Sequence, residues 1–251
     1  MIELSIITIN YNNVNGLKRT IDSVLEQTYG NIEYIIIDNV SNDGSAELVK
    51  TYGNKITKFV SEKDTGVYNA QNKGIALAKG NYLLFLNSGD FLCDKDVLQN
   101  VFNQKPTEDI VYGNMRINWG NNSVSNGFMP DQITKEQMYK DTLWHPVSFI
   151  KRSLFEKHGT YNENYKLVAD YDFFFKTIIK ENASTKHVNV FIAEFSTDGL
   201  SSLKKSKERE QEERRKVQES YLTPDELQRF EKECEVKESM FTKIKNWIKE
   251  N

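Results

Sequence analysis

The chain has 251 residues, 38% hydrophobic and 27% charged, with a mean hydropathy of −0.61. Its 14 Phe, 12 Tyr and 3 Trp can build a core, while 13 Gly and 4 Pro exclude collagen-like and Pro/Gly-rich chains. A net charge of −3 offers no general basic field for nucleic acid, and two cysteines, Cys93 and Cys234, are too few for a disulfide framework or a Cys-based zinc site.

Leu4–Ile9 is a short apolar run of the kind a buried parallel strand needs. After the polar turn at Asn10–Asn13, residues Leu17, Ile21, Val24 and Leu25 recur at helical spacing. Ile32–Asp38 reads as a second strand ending on a carboxylate, and Ser41–Ser45 offers a turn and N-caps for a helix over Ala46–Tyr52. Lys58–Ser61, Val67–Ala78 and Tyr82–Leu86 then read as strand, helix and strand. This alternation predicts an α/β fold with a parallel sheet covered on both faces.

Charge density rises sharply near residue 200. Residues 201–251 hold 13 basic and 12 acidic side chains, so the reading divides the chain into a globular body, 1–200, and a charged, exposed helical extension, 201–251. Within the extension, Lys204–Lys216 reads as a solvated helix, and Thr223 followed by Pro224 marks another helix start. Met240, Phe241, Ile244, Trp247 and Ile248 share one helical face with lysines between them, which suits a membrane surface, the body or a second chain. No run is long and apolar enough to span a membrane, and Met1–Ile9 has no signal-peptide pattern, so the expected setting is cytoplasmic, with peripheral contact to the inner face of the cell membrane as an option.

Ligands of open α/β sheets bind outside the carboxyl ends of the strands. Those ends carry Thr8 and Asn10, Asp38, Glu62 and Asp64, and Asn87 and Asp90. Neither a G-x-G-x-x-G turn nor a P-loop is present, so a diphosphate here needs a cation, and Asp90 is the natural carboxylate to hold it.

Five ordered blocks make the comparison specific. The run from Leu4 to Asn12, the run from Ile35 to Ser45, the Ser61–Gly74 block with Asp64 and Asn72, the Gly80–Asp90 block, and Ala169-Asp-Tyr-Asp172 together resemble family 2 glycosyltransferases of the GT-A fold. The resemblance implies a nucleotide-diphosphate sugar, by default a UDP-sugar, seated over the first four strands. It implies nucleotide contacts from Thr8, Asn10, Asp38, Asp64, Asn72 and Asn87, and a Mn2+ or Mg2+ ion at Asp90. It also implies Asp170 as general base with Asp172 in support, His145 on the acceptor side, and inverting transfer to a hydroxyl of a glycan or lipid-linked acceptor in polysaccharide synthesis.

Two departures qualify the match: Asn39 stands where a second Asp is frequent, and Asn87-Ser-Gly-Asp90 keeps only the last carboxylate of a DXD-type motif. Read without the family, His145 between aromatic and apolar neighbours suits a hydrogen-bonded core residue, and one of Asp170 and Asp172 can merely cap a helix. Asp198–Ser202 reads either as a loop closing over donor, with Gly199 as hinge, or as a surface turn. A nucleotide-sugar-binding module without turnover is the alternative function. A nucleotidyltransferase fits poorly, because Asn10–Gly16 lacks a basic residue.

Overall fold

Strict alternation along the first strands decides which side of the sheet each apolar residue covers. In the computed structural model, which describes residues 2–121, 123–197 and 204–234, the expected elements form in order. They are β1 (Leu4–Asn10), α1 (Val14–Leu25), β2 (Ile32–Asp38), α2 (Ser45–Thr51), β3 (Lys58–Ser61), α3 (Val67–Leu77) and β4 (Tyr82–Phe85). Ile7, Ile9, Ile35, Ile37, Leu83 and Phe85 point to one side. Leu4, Ile6, Tyr34, Ile36 and Leu84 point to the other, where they meet α1 and α2. A period of two on a sheet covered twice leaves no polar face, so these strands are buried along almost their whole length.

The remaining elements are β5 (Phe91–Leu92), α4 (Val97–Phe102), β6 (Ile110–Asn118), β7 (Val124–Gly127), α5 (Lys135–Lys140), β8 (Ser148–Lys151), α6 (Arg152–His158), α7 (Ala169–Phe174), β9 (Thr185–Ser196) and α8 (Lys204–Tyr221). A further helix covers 224–234. The sheet runs β3-β2-β1-β4-β8-β6-β9-β5, with β7 paired to β6. β1 to β4 form a wholly parallel half, whereas β8 joins both β4 and β6 antiparallel. That second half begins where the alternation of strand and helix ends in the sequence.

Register places the functional edge. Asn10 lies opposite Asp38 and Asp38 opposite Ser61, so three adjacent strands end level with one another. The backbone N–H of Ser88 reaches the carbonyl of Ile9, which brings the Asn87–Asp90 turn to the same edge.

The extension differs from its expected exposure. Val217, Leu222, Leu227 and Phe230 are buried in the same apolar cluster as Ile7 of β1. The charged sequence conceals a narrow stripe, with Glu213, Val217 and Tyr221 at i, i+4 spacing facing the body, while Arg215 and Glu219 pair outside. The Asp198–Ser202 loop and the amphipathic stretch from Met240 to Ile248 lie outside the described residues.

Close packing between β1 and the turn before β4 supplies a test. A Cβ at Gly80 would stand 2.5 Å from the Ser5 amide nitrogen and 2.6 Å from its Oγ. Gly80→Ala is therefore expected to destabilise the chain by about 1–3 kcal/mol in denaturant unfolding, because backbone blocks the new methyl.

Candidate active site

Asp38 organises the strand edge. Its carboxylate accepts from Asn10 Nδ2 at 2.9 Å, Ser61 Oγ at 2.7 Å, and the amide and hydroxyl of Ser41 at 3.0 and 2.5 Å. Four donors compensate a carboxylate that is wholly buried. To bring Ser41 back onto it, Val40 adopts φ +48, a left-handed conformation that a β-branched residue rarely takes. The turn leaves Val40 and Tyr11 exposed beside each other's strand ends, Tyr11 at 62%. Asn39, the residue that departs from the family pattern, accepts the amide of Asp64 at 3.0 Å. Burial lifts the Asp64 pKa, and the charge of Asp38 adds to it against Lys73 and the Gly66 amide.

Two expected nucleotide residues are engaged within the protein. Thr8 is buried, donating to the Leu86 carbonyl at 2.7 Å and pairing with the Tyr34 hydroxyl at 3.0 Å. Asn72 donates to the Tyr161 carbonyl and Glu163 Oε1, both at 2.9 Å, and accepts the Tyr161 amide at 3.0 Å. It fastens α3 to the segment before α7.

The Asn87–Asp90 turn carries the second carboxylate. Gly89 sits at φ +111, a region open to glycine. Its amide donates to Thr20 Oγ1, whose hydroxyl lies 2.7 Å from the Asp90 carbonyl. Asp90 is only 4% exposed, and its carboxylate accepts the Ser196 amide at 3.3 Å. Burial pushes its pKa up to about 7, against the pull of His145, the Ser196 amide, Arg19 and the Asn87 backbone. Among the described residues no cluster of three metal-binding side chains exists. One buried carboxylate short of positive partners fits a divalent cation whose remaining ligands are donor phosphates and water.

Asp170 is held from two sides. Tyr68 of α3 donates its hydroxyl to Oδ1 at 2.8 Å, and His145 Nδ1 lies 3.1 Å from Oδ2. With Nδ1 donating to the carboxylate, Nε2 accepts from Asn87 Nδ2 at 3.2 Å, and Asn87 Oδ1 accepts from Gln71 at 3.3 Å. A continuous chain thus joins Asp170, His145 and Asn87 to the turn holding Asp90. Burial works to raise the Asp170 pKa, but the hydrogen bonds from His145 and the Tyr68 hydroxyl outweigh it, so the carboxyl titrates below its ordinary value. The two aspartates are therefore shifted in opposite directions.

Asp172 is turned elsewhere. Two residues further along a helix is about 200° of rotation, and its Oδ1 accepts the Tyr221 hydroxyl of α8 at 3.1 Å. Asp170 faces Tyr68 and His145, and Asp172 faces the extension. Neither Tyr68 nor Gln71 is singled out by the sequence pattern. Both lie in the Ser61–Gly74 block, but Tyr68 meets its partner 102 positions away.

Comparison with known proteins gives the family and the fold. The model of the family "Glycosyl transferase family 2" matches residues 5–167. A PGL/p-HBAD biosynthesis glycosyltransferase of Mycobacterium bovis is 30% identical over 201 residues, covering 78% of this chain and 77% of that protein. Among solved structures, S. aureus TarS 1-349 in complex with UDP-GlcNAc superposes with TM-score 0.64 at 18% identity, over 77% of this chain and 58% of that one. Mannosyltransferase PcManGT from Pyrobaculum calidifontis, in complex with GDP-Man and Mn2+, gives 0.59 at 16% identity, over 77% and 56%. The chain thus spans less than two thirds of these solved chains, and the likeness establishes the GT-A fold.

The raised Asp90 pKa predicts a pH signature. A carboxyl whose folded pKa exceeds its unfolded one loses stability as pH rises between the two values, here from 3.8 to about 7. Asp90→Asn should raise the Tm of the ligand-free protein, with a gain that grows across that window and levels off above it.

Proposed function

The chain belongs to glycosyl transferase family 2, and from that premise we propose that it transfers a sugar with inversion from a UDP-sugar to a hydroxyl of a glycan or lipid-linked acceptor in polysaccharide synthesis. The observation that carries this reading is the chain of contacts from Asp170 through His145 to Asn87 and the Asp90 turn. It joins a carboxylate suited to accept a proton with one suited to anchor a cation.

In this reading the nucleoside rests on the edge made by Tyr11, Asn10, Asp38 and Asp64. Bound TarS and PcManGT hold UDP-GlcNAc and GDP-Man, which supports a nucleotide-sugar donor. Asp90 would hold the cation with the donor diphosphate, and that cation would offset charge on the leaving group. Asp170 accepts the proton of the acceptor hydroxyl as the oxygen attacks the anomeric carbon, while the bond to the diphosphate breaks on the opposite face. A single displacement of this kind inverts the anomeric centre. His145 and Tyr68 keep Asp170 ionised and aimed, and His145 borders the acceptor side. The exposed rings of Trp119 and Phe128, flanking β7, offer apolar faces to an acceptor sugar.

UDP release from UDP-GlcNAc and related donors, with manganese and candidate acceptors, tests the reading. Asp170→Asn should bind UDP within about threefold of the parent yet liberate UDP from the UDP-sugar about 100–10,000-fold more slowly, the usual contribution of a general base. Undiminished turnover would remove Asp170 as base. Donor binding without turnover by the parent, whatever the acceptor, would favour the binding-module alternative.

A further inference from the structure

The family match ends at residue 167, three positions before Asp170. What holds the following segment comes from the charged extension. Glu213 of α8, 6% exposed, accepts the Lys166 amide at 3.1 and 2.9 Å and the Leu167 amide at 2.9 Å. Burial would raise its pKa, but these amides and Arg209 outweigh burial and keep it ionised.

Beyond Asp170 the grip continues. The Arg214 guanidinium lies 4.1 Å above the ring of Tyr171, and Gln218 donates to the Tyr171 hydroxyl at 3.2 Å. Tyr221 donates to Asp172 and stacks on Phe175 with ring centroids 5.7 Å apart. α8 therefore clasps residues on both sides of Asp170, and among the described residues its hydrogen bonds to the body go to that span and to Tyr139 and Asp141 rather than to the donor edge. On the opposite side of the same segment, Asn72 of α3 fixes Tyr161. The carboxylate stands on a span clamped between two helices, one of them outside the family match.

We propose that α8 is part of the catalytic apparatus and that Glu213 is a positioning residue, setting the placement of Asp170 through the backbone of Lys166 and Leu167. The proposal rests on Asp170 being the base. Amides that lose a buried carboxylate acceptor are left unsatisfied, and the span then samples other placements. Precise alignment of a base governs turnover more than donor binding, because the donor edge is built on β1 to β4.

The test uses the full chain and two variants, Glu213→Gln, which keeps the size but halves the acceptor capacity, and the milder Tyr221→Phe. Hydrogen exchange, UDP titration and UDP release from UDP-GlcNAc are followed together. For Glu213→Gln the expected result is at least tenfold faster exchange over 165–172, unchanged exchange in β1, β2 and β4, UDP affinity within twofold, and kcat lowered tenfold or more at unchanged donor KM. Tyr221→Phe should shift the same quantities in the same direction by a smaller factor. Unchanged exchange over 165–172, or a loss of kcat that follows a parallel loss of UDP binding, would overturn the proposal. If the parent releases no UDP, the reading of function fails by itself, and faster or unchanged exchange over 165–172 still decides the positioning claim.

Discussion

The Asp170 carboxylate is the point on which the two halves of this molecule converge. Ionised and nearly enclosed, it would cost several kcal/mol to bury without partners. Tyr68 and His145 supply them, one from a helix of the parallel half and the other from the crossing that leads into β8. Satisfying both oxygens from different parts of the chain locks α3, α7 and the 145–147 turn into one arrangement. Neither half of the sheet can shift without breaking a charge-assisted bond.

From there a second constraint follows. His145 reaches Asn87, and Asn87 accepts the Asp90 amide, so the aiming of the first aspartate and the placing of the second are coupled. Their environments nevertheless differ. Asp170 is compensated and stays charged, whereas the backbone groups and positive side chains around Asp90 do not offset its burial, which leaves its ionised form costly. A protein that keeps an undercompensated carboxylate beside a compensated one has the makings of two distinct chemical roles on one edge.

Much of this was legible in the sequence, and the limits have physical causes. The first four strands declared themselves through unbroken apolar runs, and the edge through polar residues at their ends. Asp38 and Asp90 follow from the carboxylates at the carboxyl edge of the sheet, and Asp170 from the family resemblance of Ala169–Asp172. What their side chains touch was less accessible. Thr8 alternates into the sheet rather than out of its end, and Asn72 faces the segment at Tyr161 because of helix rotation, both matters of tertiary placement. Asp172 was grouped with Asp170 by adjacency, although helical geometry sends the two in different directions. The extension was hardest to read. Its density of charge describes the outer face, while Val217, Gln218 and Tyr221 occupy a stripe too narrow to alter the composition.

The central claim, that the edge of β1 to β4 seats a nucleoside diphosphate with a cation at Asp90, is tested most directly by calorimetric titration of the parent protein. UDP, GDP, CDP and dTDP would each be titrated with and without manganese. The account predicts that UDP binds with manganese and binds poorly without it, since one carboxylate leaves the diphosphate charge largely uncompensated. A folded sample that binds none of the four, with or without manganese, would contradict it.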